Sequence, residues 1–171
     1  MQLFDTHCHL DEDAFADDVT EVVQRAVEAG LVGLATIGTT AASSRAAVTL
    51  AERFEQVHAV VGIQPNYVAE AAAEDFQIIE ELAGRPEVVA IGETGLDRYW
   101  DYTPLEQQVE MFRRHMVLAR QHGLPFVIHC REAEADVVAE LERESARGPL
   151  QAVMHSFSGD AATARRCVEL G

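Results

Sequence analysis

The sequence contains no lysine. All 13 of its basic residues are arginine, set against 29 acidic ones, for a formal charge of −16 and a pI near 4.7. An excess of that sign excludes a broad, sequence-independent grip on a phosphate backbone, which depends on cationic patches. It leaves room for a nucleic-acid substrate, because divalent cations bound among carboxylates and imidazoles reverse the local field. Cysteine is scarce too. Cys8, Cys130 and Cys167 are odd in number, widely spaced and without a C-x-x-C pair, which argues against a zinc ribbon, a disulfide scaffold and a redox motif. No apolar run approaches the roughly 18 residues of a membrane span. The start, MQLFDTHCHL, lacks the basic and apolar regions of a signal peptide. A cytoplasmic protein with reduced thiols and no membrane partner is the expectation. Linkers, low-complexity tracts and sequence repeats are missing as well. What remains is 171 residues, 48% hydrophobic and 25% charged, the size and composition of a single packed domain over 1–171.

What the chain does have is an order of elements repeated six times. Short apolar runs lie at 1–7 (MQLFDTH), 31–38 (LVGLATIG), 57–63 (VHAVVGI), 88–93 (VVAIGE), 124–130 (LPFVIHC) and 150–157 (LQAVMHSF). Most are apolar on both faces and rich in Val or Ile, as strands of a covered parallel sheet are. Helical patterns fall between them. One starts at Thr103, with Pro104 at the first helical position and Glu106 three residues after the threonine as a capping box, and stops at Gly123. Others run from about Asp17 to Gly30 and over Ser43–Phe54, Asp75–Ala83, Glu132–Ser145 and Ala161–Leu170. Alternating strands and helices predict an α/β fold with a parallel sheet, either doubly wound or closed as a barrel.

The polar residues gather at the ends of these runs. His7 and His9 close the first, Glu93 the fourth, His129 the fifth and His155 the sixth. The C-terminal strand ends form the functional face of such a sheet. His7 and His9, two apart, point to one side of a strand, and Cys8 points the other way toward helices. His58, His115 and His122 do not share this placement and read as structural or exposed. Four imidazoles and a carboxylate on one edge are ligands for borderline or hard divalent metals, and an open metal position activates water and polarises a carbonyl or phosphoryl oxygen.

DTHCHLD (5–11), VVAIGETGLD (88–97), LPFVIHCREA (124–133) and HSFSGD (155–160), in that order, resemble the TatD-type metal-dependent deoxyribonucleases among the metallo-dependent hydrolase barrels. The resemblance covers the whole chain. It implies a TIM-type (β/α)₈ barrel, a monomer at full length, that hydrolyses DNA phosphodiesters, single-stranded or at ends, with two divalent ions drawn from Mg²⁺, Mn²⁺ or Zn²⁺. His7 and His9 would bind one ion, Glu93 would bridge, and His129 and His155 would bind the second. The chain departs from the family pattern twice. GIQPN places Gln64 and Asn66 where a G-x-H-P-H turn carries two histidines; the amides either contact substrate or only shape the turn. Six βα units in 171 residues also fit a barrel cut off before its last two strands and their aspartate, since eight units need about 250 residues.

Glu93 and Arg131 are the candidates for catalysis. Arg131 is a candidate phosphate clamp, or a surface partner of Glu132 or Glu134. Asp97 orients a ligand or substrate group, or forms a turn. Asp5 supports the histidines from behind, or caps the loop. Tyr99, Trp100 and Tyr102 either stack on bases or pack over the barrel mouth. The acidic residues between Asp11 and Asp18 suit a solvated loop and first helical turn. An amidohydrolase acting on amide or ester bonds, and an inactive fragment with a partial metal site, are the competing readings.

Overall fold

Each apolar run becomes a strand of one parallel sheet in a computed structural model that describes residues 2–171. The strands are β1 (Leu3–Cys8), β2 (Leu31–Ile37), β3 (Val57–Val61), β4 (Val88–Asp97), β5 (Phe126–Arg131) and β6 (Ala152–Met154). Met1, included in the first apolar run, lies outside the described residues. The sheet order is β1-β2-β3-β4-β5-β6, with every neighbouring pair parallel, as right-handed βαβ crossovers arrange it. Six helices make the connections and the outer layer: α1 (Val19–Glu28), α2 (Ala41–Arg53), α3 (Asp75–Ala83), α4 (Leu105–His122), α5 (Glu134–Ser145) and α6 (Ala161–Leu170). No helix among the described residues is long and apolar enough to cross a membrane.

Two cores explain why the runs are apolar on both faces. Between sheet and helices, Ile63, Ile79, Ile91, Leu96, Phe112, Ile128 and Val137 are fully buried. Removing a ring such as that of Phe112 costs about 3–5 kcal/mol. On the concave face a smaller cluster holds Ala35, Ile37, Val60, Ala90 and Val127. Alternation along β3 assigns the faces, with Ala59 and Val61 outside and Val60 inside.

The sheet is strongly curled. Six flat strands would hold β1 and β6 apart by five steps of about 4.8 Å, roughly 24 Å. Instead the rings of His7, in β1, and His155, just beyond β6, stack at 4.0 Å. The result is an incomplete (β/α) barrel of six units. Its interior is covered in the middle and open at its edges. Val127 is 7% exposed, whereas its paired neighbour Val153 in β6 is 51% exposed and Phe4 in β1, stacked on His58, is 47% exposed.

Several expected boundaries move, two of them beside the site. β4 runs four residues past Glu93 to Asp97. The expected cap at Thr103 is not formed: α4 starts at Leu105 with Pro104 as its N-cap. The Thr103 hydroxyl instead accepts from the Ala69 N–H, and its carbonyl accepts from the Gln108 amide. The other end of α4 follows expectation, with Gly123 in the left-handed conformation (φ 65°) closing the helix.

Candidate metal centre

The pairing of β1 with β2 slips between Asp5 and Cys8, the kind of irregularity that re-aims side chains beside functional sites. Cys8 turns toward the helices, packs against the cluster of Leu10, Val23 and Val57, and donates to the Ala35 carbonyl. Burial, reinforced by Asp5 and Asp11, pushes its thiol up to about 12, so it stays protonated and inert. His7 and His9 line the cleft at the mouth with His155 and Ser156. Asp5 accepts from the His7 backbone N–H at 3.1 Å and so braces the irregular end of β1 that carries His7.

Glu93 is the centre of the cluster, 4% exposed. Its Oε1 lies 2.7 Å from His129 Nδ1 and 3.1 Å from His155 Nε2, and its Oε2 lies 3.5 Å from His7 Nε2. Burial by itself raises a carboxyl pKa. Hydrogen bonds from His129 and His155, with the His7 ring 3.5 Å away, outweigh it here and hold Glu93 well below the usual carboxylate range. The ligand atoms form two triads, His7–His9–Glu93 and Glu93–His129–His155, each with its atoms within 4.8 Å of one another. Glu93 belongs to both.

The residues fit a divalent ion. Both ring nitrogens of His7 are buried without a hydrogen-bond partner, a state that costs free energy unless something coordinates them. His9 Nδ1 lies 3.0 Å from the Ile37 carbonyl; donating there leaves Nε2 as the free lone pair. Three protein ligands with an open position is the pattern of catalytic rather than structural sites.

A second layer holds the triads. Asp97, its side chain wholly buried, accepts His129 Nε2 at 2.8 Å and Asn66 Nδ2 at 3.0 Å on Oδ2, and the backbone N–H groups of Tyr99 and Trp100 on Oδ1. Both roles open to it have partners here, since Oδ2 faces the His129 ring while Oδ1 caps the following loop. Burial lowers the pKa of His129, but Glu93 and Asp97 on its two ring nitrogens raise it above the ordinary value. Gln64 Oε1 accepts from Asn66 N–H, and its Nε2 lies 3.5 Å from His129 Nδ1, so of the two amides that replace histidines Gln64 borders the imidazole directly and Asn66 reaches it through Asp97. Arg131 is exposed at the end of β5, its guanidinium 3.9 Å above the Tyr99 ring.

Two residues that the sequence pattern gave no reason to single out support this arrangement. Gln108, fully buried, exchanges two hydrogen bonds with the Asp97 backbone and donates to Thr103 O, pinning both ends of the 97–103 loop. His115, read from sequence as structural or exposed, is structural. Its Nε2 accepts from the Ile63 N–H, and its Nδ1 faces Met111 O and Thr94 Oγ1. It thereby ties α4 to the residues beside Gln64 and Glu93. His58 stacks on Phe4 at 5.7 Å, and neither His58, His115 nor His122 joins the triads.

The model of a family described as TatD related DNase matches residues 4–171. An uncharacterized metal-dependent hydrolase, YabD of Bacillus subtilis, is 36% identical over 168 residues, which cover 98% of this chain and 66% of the relative. The 3′-5′ ssDNA/RNA exonuclease TatD of Erwinia amylovora is 36% identical over 170 residues, 99% of this chain and 65% of that protein. The crystal structure of YjjV, a TatD homologue from Escherichia coli K12, superposes with a TM-score of 0.90 at 30% identity, covering 99% of this chain and 65% of that one. A TatD family hydrolase from Entamoeba histolytica, 22% identical, shares the fold with a TM-score of 0.89. The chain spans about 65% of the length of these relatives.

Proposed function

This chain belongs to the TatD related DNase family of metal-dependent hydrolases, and from that premise we propose that its site hydrolyses phosphodiester bonds of single-stranded nucleic acid. The observation that carries the proposal is the sharing of Glu93 between two ligand triads. Divalent ions held there would polarise a phosphoryl oxygen and lower the pKa of water. His7 and His9 would hold one ion and His129 and His155 the other, with Glu93 in common. Asp97 keeps the His129 ring in a fixed orientation, a contribution typically worth 10–100-fold in metal affinity. Arg131 supplies a cation at the rim of an otherwise acidic molecule, matched to a phosphate in bidentate fashion. The relative named as a 3′-5′ ssDNA/RNA exonuclease supports this substrate class.

The test is the intact chain with Mg²⁺, Mn²⁺ or Zn²⁺ on end-labelled single-stranded DNA and RNA, with carboxylic esters and amides alongside. Cleavage of the strand that disappears in Glu93→Ala is expected. Turnover of esters or amides alone, or no divalent-dependent cleavage of any nucleic acid, overturns the proposal.

A further inference from the structure

Beyond the metal centre, the loop from Asp97 to Thr103 carries Tyr99, Trp100 and Tyr102, the last two stacked with ring centroids 5.3 Å apart and planes 12° from parallel. Trp100 is 40% and Tyr102 59% exposed, unusual for large rings on a loop so fully anchored. The anchoring is extensive. Gln108 pins both loop ends, Asp97 Oδ1 accepts two loop N–H groups, and Arg98 pairs with Asp136 of α5 at 2.7 and 3.1 Å. Rings held this way contribute contact area with little further loss of conformational freedom. The loop is also tied to the candidate ligands, because the carboxylate that holds its backbone also holds His129. Tyr99 and Trp100 lie two and three residues past Asp97, at most about 7 and 11 Å of backbone from it. Beside them the Arg131 guanidinium sits 3.9 Å over Tyr99 and 5.8 Å from the Trp100 ring, so a phosphate-matching cation and a stacking surface adjoin.

We infer that Trp100 and Tyr102 form a stacking platform for a nucleobase next to the phosphate at the metal centre, with Arg131 on the linking phosphate. The inference rests on the phosphodiesterase reading above and deepens it by adding a source of strand preference. Bases of an unpaired strand present free faces, and bases inside a duplex do not.

Trp100 is the single tryptophan of the chain, so its fluorescence reports on the platform directly. The Mg²⁺-loaded full chain would be titrated with a phosphorothioate-linked oligothymidylate and with a strand of the same linkage and length lacking bases. The expected result is quenching of Trp100 by the first strand only. Tyr102→Ala should bind the base-bearing strand about tenfold more weakly and the abasic strand unchanged, with Tyr102→Phe restoring the affinity. Equal affinity for both strands without quenching overturns the platform and leaves the phosphodiesterase reading standing. Binding of neither strand overturns both.

Discussion

His115 makes the stability of this fold depend on pH in a way that can be worked out from its surroundings. Its imidazole is fully buried; burial, opposed by the Met111 carbonyl and reinforced by the Arg114 charge, pushes its pKa down to about 4. The Ile63 N–H already donates to Nε2, so a second ring proton would face a donor instead of an acceptor. The unfolded chain binds that proton below about 6.5 and the folded chain only below about 4. Stability is therefore fully present above 6.5 and is lost as pH falls through the interval between them. At about 1.36 kcal/mol per pH unit the interval is worth about 3 kcal/mol, a large part of the 5–15 kcal/mol typical of a domain. His115→Leu removes the titration and leaves the Ile63 N–H unpaired, at about 1–3 kcal/mol. Urea unfolding of both proteins from pH 7.5 to 5.0, in chelator, checks this. The wild type should lead by that amount at pH 7.5, with the lead shrinking by about 1.4 kcal/mol per unit below 6.5. A lead that stays constant to pH 5.0 would refute the assignment of a neutral, buried imidazole.

Four further outcomes are expected. Divalent-ion affinity should fall on acidification with a midpoint above the ordinary imidazole value, because the raised pKa of His129 makes a proton the ion's competitor; calorimetric titration that gives one affinity from pH 8 to 5.5 contradicts it. Gly95→Ala should both destabilise the chain by at least about 1–3 kcal/mol and weaken ion binding, since Gly95 has φ +132° and a Cβ there would meet the His129 carbonyl oxygen at 2.1 Å; unchanged melting and affinity would show that β4 and β5 can separate freely. Gln108→Ala leaves two Asp97 backbone groups and the Thr103 carbonyl without their partner, at roughly 1–3 kcal/mol each before relaxation, and should lower Tm by about 5–10 °C; a scan matching wild type sinks the loop-pinning role. The half-exposed interior residues Phe4 and Val153, each on an edge strand, should make these 171 residues associate at high concentration, and sedimentation showing a monomer throughout would contradict that.

The elements were legible because burial leaves a period in the sequence. Asp75–Ala83 and Ala161–Leu170 are helices over those same residues, and every apolar run contains a strand. The five ligand candidates were legible because strand ends in a parallel sheet face one way, so an imidazole or carboxylate there is conspicuous, and the structure brings all five together. Gln108 left no such signal. It is an amide on an amphipathic helix, where polar residues are expected to face water, and only the loop it closes explains why it is buried. Thr103 misled for a related reason. A Thr-Pro-x-Glu pattern specifies a cap only if the threonine is free to make it, and here its carbonyl closes the loop while its hydroxyl serves Ala69. Asp97 lay between two readings because its pairing with His129 spans two strands, a relation that spacing within either strand does not encode.

The distribution of the candidate ligands over the sheet ties the site to the curl. Glu93 stands on β4, toward the middle, while His7 and His9 come from β1 and His155 follows β6, the two edges. No ladder of backbone hydrogen bonds joins those edges among the described residues, so their approach at the mouth is held by side chains: the His7–His155 stack and the contacts of both with one carboxylate. Three imidazoles around a buried carboxylate are a marginal tie, since one of them, His7, keeps both nitrogens unpaired. An ion bound to both edges through Glu93 would replace that tie with coordination that the unfolded chain cannot reproduce, and its binding free energy would appear as stability of the curl. The positions proposed to hold the ions are thus the positions where the sheet is least secured by its own backbone.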